Sequence, residues 1–178
     1  LLRRLLAGYL NQLPHKIQFC YTQYGKPYLV SSENQAGVEF NMSHSGDVVL
    51  VGITRSIPVG VDVEKIKPLP DMDQVAGRFF AKGEQIDLSS LSGPQKITAY
   101  YQCWTRKEAV IKASGEGLSM PLDSFRVSLL PDDPVRVINS SDEKPWTLFA
   151  LTPAGGYAAA AAAPISNLRV CCFSAHDI

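Results

Sequence analysis

The sequence has no excess of charge of either sign, because 17 basic and 17 acidic residues balance to a net charge of zero. Proteins attracted to nucleic acid as a whole carry a basic excess, so the balance argues against a nucleic-acid partner. The sequence also has no apolar run long enough to cross a bilayer and no secretory signal. We therefore expect a cytoplasmic protein that binds neither nucleic acid nor a membrane.

Cysteine is scarce, and its four residues form no C-x-x-C pair and no Cys/His ligand pattern. This argues against a structural zinc site. The adjacent Cys171 and Cys172 are expected to be buried small apolar residues in a reducing compartment. No tandem repeat occurs at a fixed period. The 178 residues, 46% of them hydrophobic, suffice for one domain or two small halves with a substantial core.

Helical periodicity is strongest between Lys96 and Ser114, where Gly115 stops it. A shorter helix is expected near residues 72–80. The chain opens directly with the helical pattern "LLRRLLAGYL", without an initiator methionine. We therefore expect that an N-terminal segment precedes this sequence in the whole protein.

Strand patterns fill most of the remaining chain. The run "VEFNMSHSGDVVLVGIT" predicts two strands joined by a turn over Ser43–Asp47. The six alanines at 158–163 favour a helix by propensity, but Gly156 and Pro164 leave too few residues for a stable one, so we predict a buried strand. From Ser124 onward, short alternating runs predict strands of an antiparallel sheet: "FRVSLL", "VRVIN", "WTLFALT" and "LRVCCFS".

Two acids stand two positions apart in the valine-rich run "IPVGVDVEK". In an extended chain Asp62 and Glu64 share one face, while the three valines share the other. The pattern indicates either a half-buried edge strand with a solvated polar face or half of a site for a hard cation. Mg²⁺ is such a cation, because it takes oxygen ligands.

A third acid, Glu108, falls on the apolar seam of the strongest helix, one turn from Trp104 and from Lys112. A carboxylate on a core-facing stripe is costly to bury unless it is paired or bound to a metal. Either Glu108 and Lys112 form an i, i+4 pair on a solvated flank, or the three acids and Lys112 converge on one cleft. The second arrangement suits a Mg²⁺-assisted phosphoryl or pyrophosphate reaction.

Several motifs occur in an order that is specific to one enzyme family. The runs "GVDVEK", "RFFAKGE", "WTRKEAVIKASGEGL" and "MPLDSF" resemble those of 4′-phosphopantetheinyl transferases of the surfactin-synthetase-activating type. The runs "YGKPYL" and "FNMSHSG" resemble the N-terminal-half motifs of the same family, so the resemblance extends from about Tyr24 to Phe125. It implies transfer of the 4′-phosphopantetheine arm of coenzyme A to a serine of an acyl or peptidyl carrier protein, with release of adenosine 3′,5′-bisphosphate. Such enzymes serve fatty-acid, polyketide and nonribosomal peptide biosynthesis.

The resemblance also implies a fold and a metal site. The fold is α+β, with two similar halves, 1–58 and 59–178, related by a pseudo-twofold in a pseudo-dimeric monomer. The active site lies in the cleft between the halves. By motif position, the ligands of Mg²⁺, or of Mn²⁺ as its substitute, are Asp62, Glu64 and Glu108.

The remaining motif residues acquire roles by the same resemblance. Glu108 is the general base for the carrier serine, and Lys112 stabilises or protonates the departing bisphosphate. Lys26, Ser43 and His44 hold the nucleotide end of coenzyme A with its 3′-phosphate. Cationic groups and the backbone N–H groups of a Ser-His-Ser-Gly turn suit that dianion.

Two further motif residues have open roles. Glu84 is either an acid near the metal, as ligand or base, or a solvated acid at a helix start. Lys107 either contacts phosphate or is an exposed solubilising charge. The family's N-terminal basic residues, which help to hold the 3′-phosphate, are expected upstream of this sequence, and Arg3 and Arg4 are not assigned to them. The alternative functions are a non-catalytic carrier-protein-binding module of the same fold and a metal-dependent phosphohydrolase.

Overall fold

The computed structural model describes residues 1–23, 25–30, 34–139 and 144–174, so Tyr24 of the "YGKPYL" motif lies outside the described residues. Within them, helices and antiparallel strands are mixed, and the predicted α+β class is confirmed. The helices are α1 (Leu2–Leu10), α2 (Met72–Phe79), α3 (Lys82–Ser89) and α4 (Gly93–Ser114), and 3₁₀ turns occupy Pro14–Lys16, Gly117–Ser119 and Leu122–Ser124. The strands are β1 (Phe19–Tyr21), β2 (Pro27–Leu29), β3 (Val38–Ser45), β4 (Val48–Arg55), β5 (Gly60–Lys65), β6 (Arg126–Val127), β7 (Val137–Asn139), β8 (Thr147–Leu151) and β9 (Tyr157–Ala163).

Helix α4 is the central element of the C-terminal part of the molecule. It begins three residues before the predicted Lys96, with Pro94 in its first turn, where a missing N–H costs nothing. It ends as predicted at Gly115, which takes the left-handed conformation with φ 78°. One side of α4 packs against an antiparallel sheet in which β9 lies between β5 and β8.

The alanine-rich strand β9 allows this helix to approach the sheet closely. The predicted strand is confirmed, and Ala158, Ala160 and Ala162 belong to the same buried cluster as the inner residues of α4. On the neighbouring strand β5, a Cβ built at Gly60 would lie only 2.0 Å from the carbonyl oxygen of Ala109 in α4. A glycine in a strand interior marks this kind of close backbone approach. It holds the strand of Asp62 and Glu64 directly against the helix of Glu108.

The N-terminal part is built on the hairpin of β3 and β4, with a hydrophobic cluster beneath α1. The strands pair from Val38↔Arg55 to Ser45↔Val48, so Ser43 and His44 lie inside β3. The predicted turn over Ser43–Asp47 is wrong in its first residues, because ladder pairing continues to Ser45 and leaves only Gly46 and Asp47 as the turn. The cluster comprises Leu6, Ile17, Leu29, Val38 and Phe40.

The C-terminal strands differ from the expected single sheet. β6 and β7 pair with each other, while β8 joins the sheet of β9 and β5. The run at 168–174 is not a strand, and its Cys171 and Cys172 are exposed, so the prediction that they are buried is wrong.

The connection between β4 and β5 contains the expected junction between residues 58 and 59. That boundary and the pseudo-twofold relation of the halves stay predictions. In the described ranges, no helix has both the length and the apolar character needed to traverse a bilayer.

Candidate active site

An open cleft of about 420 Å³ lies between β3, β5 and α4. It brings together all three acids that the sequence singled out, together with Lys112. Its lining comes from both sides of the expected junction, with β3 forming one wall and β5 and α4 the other. The lining residues are Met42, Ser43, His44, Asp62, Glu64, Trp104, Glu108 and Lys112.

Asp62 is the most deeply buried acid of the cleft, with a relative exposure of 4%. Its Oδ1 lies 2.7 Å from Nζ of Lys112 and accepts a hydrogen bond of 2.8 Å from Oγ of Ser43. Its Oδ2 is buried and has no hydrogen-bond partner among the described residues. A buried carboxylate oxygen without a donor is costly, so Oδ2 is suited to receive a cation. The solvated edge strand, the alternative interpretation of this run, is wrong for Asp62.

Glu108 lies on α4, which packs against the strand of Asp62, and its side chain is partly buried. Burial raises the pKa of its carboxyl group, and the negative charges of Asp62 and Glu64 raise it further, while Lys112 lowers it. A carboxylate with a raised pKa holds a proton more readily, which suits a general base near neutral pH. The cleft therefore holds several carboxylates, and one of them, Glu108, is suited to accept a proton.

Lys112 extends from α4 towards β5. Besides its ion pair with Asp62, Nζ donates to the carbonyl oxygen of Val61 at 3.2 Å and to Oγ of Ser43 at 3.3 Å. The alternative of a Glu108–Lys112 pair on a solvated flank is therefore wrong. The lysine is held inside the cleft, where its charge faces the carboxylates.

Lys26 reaches this region from the N-terminal part. Its Nζ donates a hydrogen bond of 2.7 Å to the carbonyl oxygen of Lys112, near the C-terminal end of α4. Burial lowers the pKa of Lys26, and Glu39 partly offsets that shift. A lysine side chain near the C-terminal end of a helix can satisfy one of the last carbonyl oxygens, and Lys26 does so for α4 from outside the helix. Its expected contact with the nucleotide stays a prediction.

Ser43 and His44 lie on opposite faces of β3, because successive side chains of a strand alternate. Ser43 is buried against Asp62, whereas His44 is exposed at the rim of the cleft. The expected Ser-His-Ser-Gly turn is not formed, since Ser43, His44 and Ser45 pair with β4 and only Gly46 of this run lies in the turn. Ser43 thus contacts Asp62, and its expected contact with the nucleotide stays a prediction.

Glu84 and Lys107 form a buried ion pair, with Oε2 and Nζ 2.9 Å apart and both side chains fully inaccessible to solvent. The carboxylate also accepts from the backbone N–H groups of Ala81 and Val127, and the ammonium donates to the carbonyl oxygens of Leu122 and Phe125. Burial raises the pKa of Glu84, and Lys107 opposes that shift.

This pair excludes one of the two alternatives for each residue. Glu84 is not a solvated acid, and Lys107 is not an exposed charge. Neither lines the cleft of Asp62. Instead, they join α3 and α4 to the segment that leads into β6.

Sequence reasoning missed Asn41, Ser45 and Gly60. Asn41 and Ser45 lie on the same face of β3 as Ser43, and both bond to β5. The signal in the sequence was the polar residue at every second position of "NMSHS", which is the same spacing as that of Asp62 and Glu64. Gly60 was visible as a glycine inside a valine-rich strand.

The cleft offers oxygen donors to a divalent cation, although these donors are not gathered around one point. As the side chains stand in the described ranges, no three carboxylate, imidazole or thiolate groups lie close enough together to hold a metal ion. The buried, unpartnered Oδ2 of Asp62 and the carboxylates of Glu64 and Glu108 in the same cleft nevertheless provide the oxygen donors that Mg²⁺ prefers. Because Glu64 and Glu108 are only partly buried, their side chains have room to turn towards an ion.

Curated relatives are similar to most of this chain. The 4′-phosphopantetheinyl transferase HetI from Nostoc sp. is 34% identical over 91% of the chain and 67% of the relative. The 4′-phosphopantetheinyl transferase Sfp from Bacillus subtilis is 40% identical over 68% of the chain. The chain spans only about half, 51%, of that relative's length. The predicted resemblance to the Sfp type is thereby confirmed.

A solved structure and two family models agree with these relatives. A holo-(acyl-carrier-protein) synthase from Bacillus anthracis, in complex with CoA (3′,5′-ADP), superposes with a TM-score of 0.51 at 22% identity, over 60% of this chain and 95% of that one. This likeness establishes the fold. The model described as 4′-phosphopantetheinyl transferase, N-terminal matches residues 1–55. The model of the 4′-phosphopantetheinyl transferase superfamily matches residues 58–162, more than half of the chain, which therefore belongs to that superfamily.

Proposed function

We propose that this chain catalyses the Mg²⁺-dependent transfer of 4′-phosphopantetheine from coenzyme A to a serine of an apo acyl or peptidyl carrier protein. The observation that carries the proposal is the cleft in which Asp62, Glu64 and Glu108 stand beside Lys112. The relatives, which are 4′-phosphopantetheinyl transferases, support the reaction, and the bound coenzyme A of the Bacillus anthracis synthase supports the donor.

Asp62, Glu64 and Glu108 would hold the metal ion. The unpartnered Oδ2 of Asp62 supports this assignment, because a cation offsets the cost of its burial. When bound, Mg²⁺ or Mn²⁺ neutralises charge that develops on the pyrophosphate oxygens during transfer. The three carboxylates otherwise repel one another, so the ion also stabilises their shared cleft.

Glu108 would accept the proton of the carrier serine hydroxyl. The serine oxygen forms a bond to the phosphorus next to the pantetheine arm, and the bond from that phosphorus to the bridging oxygen breaks. The electron pair leaves with adenosine 3′,5′-bisphosphate. The ammonium group of Lys112 lies where it can stabilise that leaving charge. The raised pKa of Glu108 makes it a stronger base than an ordinary glutamate.

His44 and Lys26 would hold the nucleotide end of coenzyme A. His44 is exposed at the rim of the cleft, and Lys26, in the N-terminal part of the chain, contacts the C-terminal end of α4. Both can donate charge-assisted hydrogen bonds to the 3′-phosphate. Ser43 lines the same cleft and would contribute to this contact, while its hydroxyl also donates to Oδ1 of Asp62.

The test is chromatographic detection of adenosine 3′,5′-bisphosphate in mixtures of the chain, coenzyme A and Mg²⁺, with and without an apo carrier protein. The proposal predicts release only when both Mg²⁺ and the carrier protein are present. Release without the carrier protein would instead indicate a phosphohydrolase. No release in any mixture, from folded protein, would favour a non-catalytic carrier-binding module.

A further inference from the structure

Three polar side chains of β3 take the place of a backbone partner along one edge of β5. Oδ1 of Asn41 accepts from the N–H of Val61 at 2.9 Å. The Oγ of Ser43 accepts from the N–H of Val63 at 3.4 Å, and the Oγ of Ser45 accepts from the N–H of Lys65 at 3.0 Å. We call Asn41, Ser43 and Ser45 the polar ladder.

The spacing of the polar ladder follows from strand geometry. Alternate residues of β3 face β5, and alternate N–H groups of β5 face β3, so donors and acceptors repeat with the same period of two. The other edge of β5 pairs with the backbone of β9 in the register Asp62↔Ala160. Strand β5, which carries both carboxylates, therefore has backbone hydrogen bonds to β9 along one edge and hydrogen bonds to side chains of β3 along the other.

The two serines of the polar ladder also hold the carboxylates. A hydroxyl can donate one hydrogen while it accepts others. Ser43 donates to Oδ1 of Asp62 at 2.8 Å, and Ser45 donates to Oε2 of Glu64 at 2.9 Å. Each serine thus binds one oxygen of a carboxylate and the N–H of the residue that follows it. The position of the side chain is fixed relative to the strand that carries it.

We propose that Ser43 and Ser45 are positioning residues that orient Asp62 and Glu64 as metal ligands. The inference rests on the proposed function, because it assumes that these carboxylates hold the ion. Engaging one oxygen of each carboxylate limits its rotation and leaves the other oxygen for a metal ion. In metalloproteins, removing a hydrogen-bond partner of a metal ligand typically lowers metal affinity or activity by roughly ten- to hundredfold.

Ser45→Ala is the most informative variant. The N–H of Lys65 is exposed, so water can replace the lost acceptor and the fold is expected to remain intact. Ser45→Thr keeps the hydroxyl and serves as the rescue. Thr54→Val is the matched control, because it removes another hydroxyl hydrogen bond of the same hairpin, to the carbonyl oxygen of Ile57, without touching a carboxylate.

The measurement is Mn²⁺ binding by electron paramagnetic resonance, with Mg²⁺ as the competitor and with thermal unfolding recorded in parallel. We expect Ser45→Ala to weaken Mn²⁺ binding by about tenfold or more, with a melting temperature close to that of Thr54→Val. Ser45→Thr and Thr54→Val should bind Mn²⁺ like the unmodified chain. In turnover assays, Ser45→Ala should raise the Mg²⁺ concentration needed for half-maximal rate more than it lowers kcat at saturating Mg²⁺.

Glu64→Ala separates the failure of this inference from the failure of the proposed function. If Glu64→Ala weakens Mn²⁺ binding and Ser45→Ala does not, the positioning role is refuted and the metal site stands. The role is also refuted if Ser45→Ala weakens binding but Ser45→Thr fails to restore it. If Glu64→Ala and Asp62→Ala both bind Mn²⁺ like the unmodified chain, the proposed metal site is refuted, and the positioning role with it.

Discussion

Replacing Gly60 by alanine should separate the two elements that form the carboxylate cleft. The added Cβ would lie 2.0 Å from the carbonyl oxygen of Ala109 and 2.5 Å from the backbone nitrogen of Ala113. Ordinary C···O contacts begin at about 3.3 Å, so helix and strand must move apart by roughly 1 Å. Both contacting groups are backbone atoms of a regular helix, which cannot turn aside as a flexible side chain can.

The displacement has a cost in stability and a cost in rate. Overpacking of this kind destabilises a folded protein by about 1–3 kcal/mol. Because β5 carries Asp62 and α4 carries Glu108, the same movement widens the cleft. A misplacement of about 1 Å at reacting groups lowers the rate on the order of a hundredfold. We therefore expect Gly60→Ala to lose more in kcat than its loss of stability explains.

Gly77→Ala is the matched control for this prediction. Gly77 lies inside α2, and nothing approaches within 4 Å of the Cβ it would acquire. The substitution should stabilise the chain by about 0.4–1 kcal/mol and leave the rate unchanged. Urea unfolding and steady-state kinetics measure both effects. A Gly60→Ala variant as stable and as active as Gly77→Ala would refute the close contact of α4 with β5.

Glu108→Gln should keep the fold and lower kcat by about 10²–10⁴, and a rate within tenfold of the unmodified chain would remove Glu108 from the role of base. Because the pKa of Glu108 is raised above 4.5, activity should fall on acidification at a higher pH than an ordinary glutamate gives, and added Mg²⁺ should move that fall to lower pH. In the unmodified chain we expect the KM for dephospho-coenzyme A to exceed that for coenzyme A by at least about tenfold. His44→Ala should reduce this difference; an equal loss of activity on both substrates would show that His44 does not contact the 3′-phosphate. Glu84→Gln should cost about 3–5 kcal/mol by leaving Lys107 buried without a counter-charge, while the Mg²⁺ concentration needed for half-maximal rate stays constant. A changed Mg²⁺ requirement in that variant would return Glu84 to the metal site.

The carboxylates of the cleft could be predicted from the sequence because their positions follow local periodicity. Asp62 and Glu64 lie on one face of a strand, and Glu108 interrupts an apolar helical seam, so each carries a local signal. The alanine run was also predictable, since its length and the flanking Gly156 and Pro164 outweighed helix propensity. Small side chains in β9 then proved to be what lets α4 pack closely.

The partners of these residues could not be predicted in the same way. Lys107 stands next to Glu108 in a helix whose polar residues resemble a solvated flank, yet a carboxylate 23 positions away in sequence compensates its burial. Likewise, the contact between Ser43 and Asp62 depends on two strands that are not paired through their backbones. Local patterns place a side chain on a face, but they do not state what covers that face.

The central claim is that this cleft transfers phosphopantetheine, and the intact mass of a carrier protein tests it most directly. An apo carrier protein is incubated with the chain, coenzyme A and Mg²⁺, and its mass is recorded over time. We expect a gain of one phosphopantetheine unit, which is lost when Mg²⁺ is chelated and is nearly absent with Glu108→Gln. No gain with folded chain, or an equal gain with Glu108→Gln, would contradict it.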